Sequence, residues 1–283
     1  MPQSNHELIK SLQKSKVRLK KGLGQSLLTD ETSLAQIVDA VNPTKDDVVF
    51  EIGTGTGQLT EGLAHQAGNV ITVEIDREVQ SLAKRRLSQY GNIAYILGDI
   101  LEMDLMPFVN NFPGRPFKIV GNLPYYITTP ILMKLIETEV PFASIVIMIQ
   151  KEVADRIMAV PDNKDYGVLT LSVQYRCQVE RVADVPRKAF FPAPEVDSTV
   201  LRLARHTTPP VPVTNEKVFF NTIKAGFGQR RKKISNAMAS FAFTRGLEKD
   251  AFVARLRELN ISPDARGEQL SMSDFARLAN SLT

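Results

Sequence analysis

Four consecutive residues, Asn122-Leu123-Pro124-Tyr125, combine an amide, a peptide stiffened by proline and an aromatic ring. That set suits alkylation of a nitrogen whose lone pair is delocalised into a ring, as in the amino group of adenine. An Asn side-chain oxygen and a backbone carbonyl held by proline can accept the two N–H bonds and favour the pyramidal nitrogen that attacks a methyl group. The effect is electrostatic, so no strong general base is required. Tyr125 offers a face for an extruded base, a contact worth about 1–3 kcal/mol. The same residues also suit a turn capped by Asn with a tyrosine in the core. Their place after an apolar run, Phe117 to Val120 and Gly121, favours the chemical reading.

A second constellation lies upstream. The run Glu51-Ile52-Gly53-Thr54-Gly55-Thr56-Gly57 follows an apolar segment, and its glycines let the backbone turn sharply while leaving room for a ligand. The spacing is G-x-G-x-G, because position 58 is Gln, and no lysine follows, so diphosphate is disfavoured. Glu74 and Asp99 end the next two apolar runs. A carboxylate at the first position can accept both hydroxyls of a ribose, and one at the second reaches an adenine amino group. Either acid alone could equally cap a following helix. Together with the glycine loop, the pair points to an adenosyl ligand.

The elements that must position these residues follow from the pattern. Short runs rich in β-branched residues, Val48 to Gly53, Val70 to Asp76, Ile93 to Asp99, Phe117 to Val120 and Ser144 to Ile149, alternate with helical stretches such as Glu78 to Tyr90 and Pro130 to Glu137. Continuous apolar strands between helices predict an α/β, doubly wound, Rossmann-like sheet with ligands beyond the carboxyl ends of its strands. Val179 to Pro186 and Ser198 to Ala204 are expected to close it as an antiparallel pair. Pro209, Pro210 and Pro212 suggest a break. Beyond it, helical periodicity is expected over Val218 to Phe227, Arg231 to Phe241, Ala251 to Leu259 and Ser273 to Leu282. The expected organisation is a basic arm over 1–21, a catalytic domain over 22–208, a linker over 209–214 and a small helical domain over 215–283.

Composition narrows the function classes. The 283 residues carry a formal charge of +4, which suits a polyanionic partner without proving one. The arm contributes Lys10, Lys14, Lys16, Arg18, Lys20 and Lys21 with no acid among them, which reads either as a solvated tail or as a phosphate-contacting segment. Cys177 is the sole cysteine, so disulfides and thiolate clusters within the chain are excluded and a reducing cytoplasm fits. His6, His65 and His206 lack ligand spacing, and no metal is expected. No apolar run is long enough to span a bilayer, and no secretory h-region opens the chain, so neither secretion nor membrane insertion is expected.

The motif Asn122 to Tyr125 resembles the Asn-Leu-Pro-Tyr of the small-subunit ribosomal RNA adenine dimethyltransferases. Further segments are similar to that family: Gly24-Gln25 to Leu28, Gln150-Lys151-Glu152-Val153, Phe190 to Ser198, Gln229-Arg230-Arg231-Lys232 and Arg266 to Ser271. The likeness runs from about Lys21 to the end. It implies S-adenosyl-L-methionine as cofactor and two methylations on each of two adjacent adenines near the 3′ end of small-subunit ribosomal RNA, in an assembling subunit. It also implies that Gln25, Ser26, Leu28, Gly53, Gly55, Glu74, Asp99 and Asn122 hold the cofactor. Asn122, Leu123, Pro124, Tyr125 and Phe190 would form the reactive site, with Tyr125 and Phe190 on either face of the target base. Where the family usually has Asn and Phe, this chain has Ser26 and Leu27, and the serine hydroxyl can still donate a hydrogen bond. Lys20, Lys21, Lys224 and Arg230, Arg231, Lys232 and Lys233 would contact RNA phosphates, the last group across a duplex. The enzyme is expected to work as a monomer. Two other readings are a large-subunit adenine methyltransferase of the antibiotic-resistance type, and a non-catalytic assembly factor on the same fold.

Overall fold

The computed structural model describes residues 26–283. Among these, the chain folds into two compact units. One comprises the described chain up to Ala154 together with Val179–Arg205; the other joins Asp155–Gln178 to His206–Thr283.

The first unit is built on the expected strands. A short strand β1 (Leu27–Leu28) leads to helix α1 (Glu31–Val41), followed by β2 (Val48–Ile52), α2 (Gln58–Gln66), β3 (Asn69–Glu74), α3 (Arg77–Arg86) and β4 (Ile93–Leu97). Then come α4 (Met106–Asn110), β5 (Phe117–Asn122), α5 (Thr128–Glu137), β6 (Phe142–Gln150) and α6 (Lys151–Ile157), within which the chain passes into the second unit; after α7 (Val168–Arg176) of that unit it returns through β7 (Cys177–Val185), β8 (Phe190–Phe191) and β9 (Ser198–Arg205). The main sheet has the order β4-β3-β2-β5-β6-β9-β7. Strands β2 to β6 pair in parallel and β9 runs antiparallel to β6. β7 and β9 are neighbours, as expected of the last two strands.

Alternation along the strands explains the two covered faces. Val49, Val70, Val120, Val146 and Val200 pack with Ile37, Val38 and Val41 of α1 and Leu63 and Ala64 of α2. Phe50, one residue out of step with Val49, meets Phe108 and Phe117 at 5.4 and 5.9 Å between ring centres. The starts of α1 and α3 are capped by neighbouring acids. Asp30 accepts from the Ser33 amide at 2.8 Å, and Asp76 accepts from Glu78 and Val79. Lys84, Arg85 and Arg86 in the last turn of α3 suit its dipole.

From β2 the chain runs outward to β3 and β4, and β5 then returns to the other flank of β2. The loops after β2 and β5 therefore diverge at a topological switch point, where doubly wound sheets hold ligands. Gly121 sits in this seam opposite Ile52. A Cβ there would lie 2.8 Å from the Ile52 carbonyl oxygen, so the close approach requires glycine.

In the second unit, α8 (Glu216–Phe227), α9 (Ile234–Ala237), α10 (Ala239–Phe243), α11 (Lys249–Glu258) and α12 (Met272–Ser281) join α7. Phe219, Ile223, Phe252, Leu256, Phe275 and Leu278 are fully buried in its core, together with Tyr166, Leu171 and Tyr175 from the earlier segment. That segment is why the division differs from a single cut at 209–214: its apolar side chains complete the helical core, which local periodicity does not reveal. The proline stretch is likewise part of this unit, with Val211 buried and the Pro212 carbonyl accepting from Asn280 Nδ2 at 3.0 Å. The helix expected over Arg231 to Phe241 starts only at Ile234 and breaks at Met238. The Ile234 and Ser235 amides donate outside the helix, to the carbonyls of Ala265 and Pro263, so the preceding basic run lies in a turn.

Candidate active site

The first unit opens at the carboxyl ends of β2, β3 and β5 into a cleft enclosing about 1200 Å³ of space, part of it open to solvent. Ser26, Leu28, Gly53, Gly55, Glu74, Asp99, Asn122, Leu123, Pro124, Tyr125 and Phe190 all line it. Gln25, Lys20, Lys21 and the rest of the basic arm lie outside the described residues.

The glycine loop forms one wall. Gly55 has φ +52°, a left-handed backbone, and its amide donates to Glu74 Oε2 at 3.0 Å. The Asp76 amide donates to Glu74 Oε1, also at 3.0 Å. Glu74 is thus held by two backbone donors, and each oxygen keeps a lone pair for a ribose hydroxyl. Burial pushes its carboxyl above the usual range, against the pull of those two amides. The helix-capping role weighed for acids at strand ends falls to Asp76, two residues on. Asp99 Oδ1 accepts the Leu101 amide at 2.8 Å, leaving Oδ2 as the acceptor for a ligand amine.

The opposite wall is the turn after β5. Asn122 Nδ2 donates to the Ser26 carbonyl at 3.2 Å, which orients the amide and leaves Oδ1 to accept. The Leu123 amide donates to the Met148 carbonyl at 3.1 Å, and its side chain is buried. The Pro124 carbonyl is taken by the Ile127 amide and the Thr128 hydroxyl, so the carbonyl of Leu123, in the peptide locked by the proline ring, is the backbone acceptor beside Asn122. Tyr125 binds Ser198 Oγ at 2.7 Å, and burial raises its hydroxyl pKa. Phe190 is 4 % exposed and packs in the core beside Leu28, its partner in the β1–β8 ladder, so its ring forms a fixed wall.

β1 and β8 bind segments some 160 residues apart. The Ser26 hydroxyl donates to the Pro192 carbonyl at 2.6 Å, and the Thr29 amide to the Ala189 carbonyl at 2.8 Å. The donor that sequence reasoning reserved for a ligand is therefore spent on closing this corner.

Glu51 opens the glycine-loop run, where its sequence position assigns it no role. It is fully buried on the cleft wall, with Oε2 accepting from Thr60 at 2.6 Å and Oε1 lacking a partner. Burial pushes its carboxyl up to about 8, partly offset by the Thr60 hydroxyl, with the Glu74 carboxylate pushing the same way. Gln58 Nε2, on the same wall, is also buried without a partner. The one available signal was an acid directly before a glycine loop.

The model of the ribosomal RNA adenine dimethylase family matches residues 16–283. The chain belongs to this family. A Ribosomal RNA small subunit methyltransferase A from Alkaliphilus oremlandii is 42% identical over 282 residues, 99% of this chain and 96% of that protein. A crystal structure of a dimethyladenosine transferase from Plasmodium falciparum aligns with TM-score 0.74 and 28% identity, covering 89% of this chain and 95% of that one. The 23S rRNA methyltransferase ErmE aligns with TM-score 0.69 and 26% identity, covering 90% and 99%. S-adenosylmethionine is the methyl donor of this dimethylase family, and the cleft fits it. Glu74 and Asp99 suit the adenosine, while the orphan acceptor on Glu51 and the orphan donor on Gln58 suit a ligand that carries both an ammonium and a carboxylate.

The basic run is elsewhere, in the second unit. Arg230 donates to Glu268 at 3.0 Å and to the carbonyls of Lys164 and Tyr166, and Lys233 pairs with Asp264 at 2.8 Å. Arg231 and Lys232 are exposed. Among the described residues no helix is long and apolar enough to cross a membrane, and no cluster of His, Cys, Asp and Glu is arranged to hold a metal.

Proposed function

We propose that this chain transfers methyl groups from S-adenosylmethionine to the exocyclic amino groups of two adjacent adenines near the 3′ end of small-subunit ribosomal RNA. It does so in the cytoplasm, as a monomer, on an assembling small subunit. The observation that carries the reading is the Asn122 corner, where an amide anchored through its nitrogen on Ser26 presents Oδ1 beside a proline-locked carbonyl in a cleft suited to adenosine.

When bound, S-adenosylmethionine supplies an electrophilic methyl on a sulfonium. Asn122 Oδ1 and the Leu123 carbonyl accept the two N–H bonds of the target amine in the first transfer and the one that remains in the second, and the methylated nitrogen sheds its surplus proton to water. They draw its lone pair out of conjugation and stabilise the positive charge that builds on nitrogen. Tyr125 stacks on the extruded base against the wall formed by Phe190. The helical unit grips phosphates through Arg231 and Lys232, a contact that positions without reading sequence.

The name of the 42% identical relative supports the small subunit as target. The alignment with ErmE keeps large-subunit RNA as the competing substrate. Purified protein with labelled S-adenosylmethionine is expected to mark unmethylated small subunits and yield dimethyladenine. Label confined to large-subunit RNA would favour the alternative, and binding without label would leave an assembly factor.

A further inference from the structure

The base extruded into the cleft leaves its neighbours on the strand without a stacking partner, and their stacking must be replaced or lost. We infer that Tyr126 supplies the replacement: its ring stacks on the base next to the target adenine and so decides which of two adjacent adenines enters. The inference rests on the proposed reaction and adds a residue that binds outside the slot.

Three observations carry it. Tyr126 lines the cleft, yet it is 55% exposed, whereas Tyr125 beside it is part-buried. Both rings sit on one 3₁₀ turn, Tyr125–Ile127, where successive side chains project about 120° apart. With the Tyr125 hydroxyl tied to Ser198, Tyr126 is turned to the mouth. Finally, the turn is rigid. Pro124 starts it, its carbonyl accepts from Ile127 at 3.2 Å and from Thr128 at 3.1 Å, and α5 continues directly from it with Ile131 and Leu132 buried. An aromatic face presented to water on a fixed turn is a pre-organised stacking platform, usable with any base. Phe191 is the other exposed aromatic near this site, but strand alternation sends it to the side opposite Phe190.

The test uses the full chain, unmethylated small ribosomal subunits and labelled S-adenosylmethionine, with Tyr126→Ala and Tyr126→Phe. The alanine variant is expected to raise KM for the subunit about ten-fold, in keeping with the loss of one base–aromatic stack. Its kcat and calorimetric Kd for S-adenosylmethionine should stay near native, and mass mapping should show methylation skewed toward one of the two adenines. The phenylalanine variant should behave as native, because the ring and not the hydroxyl is used. Native KM and balanced methylation in Tyr126→Ala would overturn the inference. So would an equal loss of cofactor affinity, which would place the ring over the donor. If the native protein transfers no methyl groups to small subunits, the underlying function falls and takes this inference with it.

Discussion

Asn122 has its amide nitrogen on the Ser26 carbonyl, so replacing it removes both the acceptor and an anchor of the corner. Asn122→Ala is expected to lower kcat about 10²–10³-fold, the usual cost of deleting one group that stabilises transition-state charge. RNA affinity should change less than about two-fold, since phosphates supply most of it. Retained turnover in single-turnover assays would refute the amine-activation mechanism. Glu51 makes a separate prediction. Its carboxyl titrates near 8 in the fold against 4.5 when unperturbed, so across that window the folded protein holds a proton that the unfolded chain has shed. Stability without ligand must then fall as pH rises from about 4.5 to 8. Glu51→Gln should flatten this fall in urea midpoints measured at pH 5, 6, 7 and 8, leaving the part due to Glu74, whose carboxyl is shifted the same way. Parallel curves for the two proteins would count against a protonated Glu51. An acid before a glycine loop is visible in sequence, but that it is sealed from water with one oxygen unpaired is not.

At the scale of elements, the cleft depends on how closely β2 and β5 approach. Gly121→Ala would place a methyl 2.8 Å from the Ile52 carbonyl and 3.1 Å from the Leu123 side chain, and backbone yields poorly. A loss of about 1–3 kcal/mol in urea unfolding is expected, the range for overpacking a tight site. Because the shift would splay the Asn122 turn, cofactor affinity by calorimetry should fall with it. An alanine variant of native stability would show that the seam is looser than the geometry implies. The parallel strands and the helices α3 and α5 were legible because a buried strand needs an apolar run and an amphipathic helix needs a stripe. α1, β1 and β8 were not read. β1 and β8 are two residues each, too short for any period, and exist only because segments about 160 residues apart pair with one another.

At the scale of the molecule, the basic run divides by partner. Arg231 and Lys232 are exposed, and replacing both by alanine should weaken RNA binding and reduce the slope of log K against log salt by about one per residue. Arg230→Ala should act differently: losing bonds to Glu268 and to the Lys164 and Tyr166 carbonyls, it should lower the melting temperature more than the salt slope. Binding titrations at several salt concentrations together with thermal melts separate the two. Equal salt slopes for all variants would return the run to a solvated face.

What the amino-acid sequence determined by itself is local or periodic: the succession of the parallel strands along the chain, the glycine loop, the acids at strand ends, and the Asn-Leu-Pro-Tyr corner. These follow from backbone stereochemistry and from the alternation of apolar and polar residues, which neighbours along the chain suffice to specify. The tertiary structure alone decided that Ser26 closes on Pro192, that Asp155–Gln178 completes the helical core, and that Arg230 is bonded while Arg231 is exposed. Each of these depends on desolvation and hydrogen bonding between segments far apart in the chain, and a side chain's partner across such a distance is set by packing, not by its residue type.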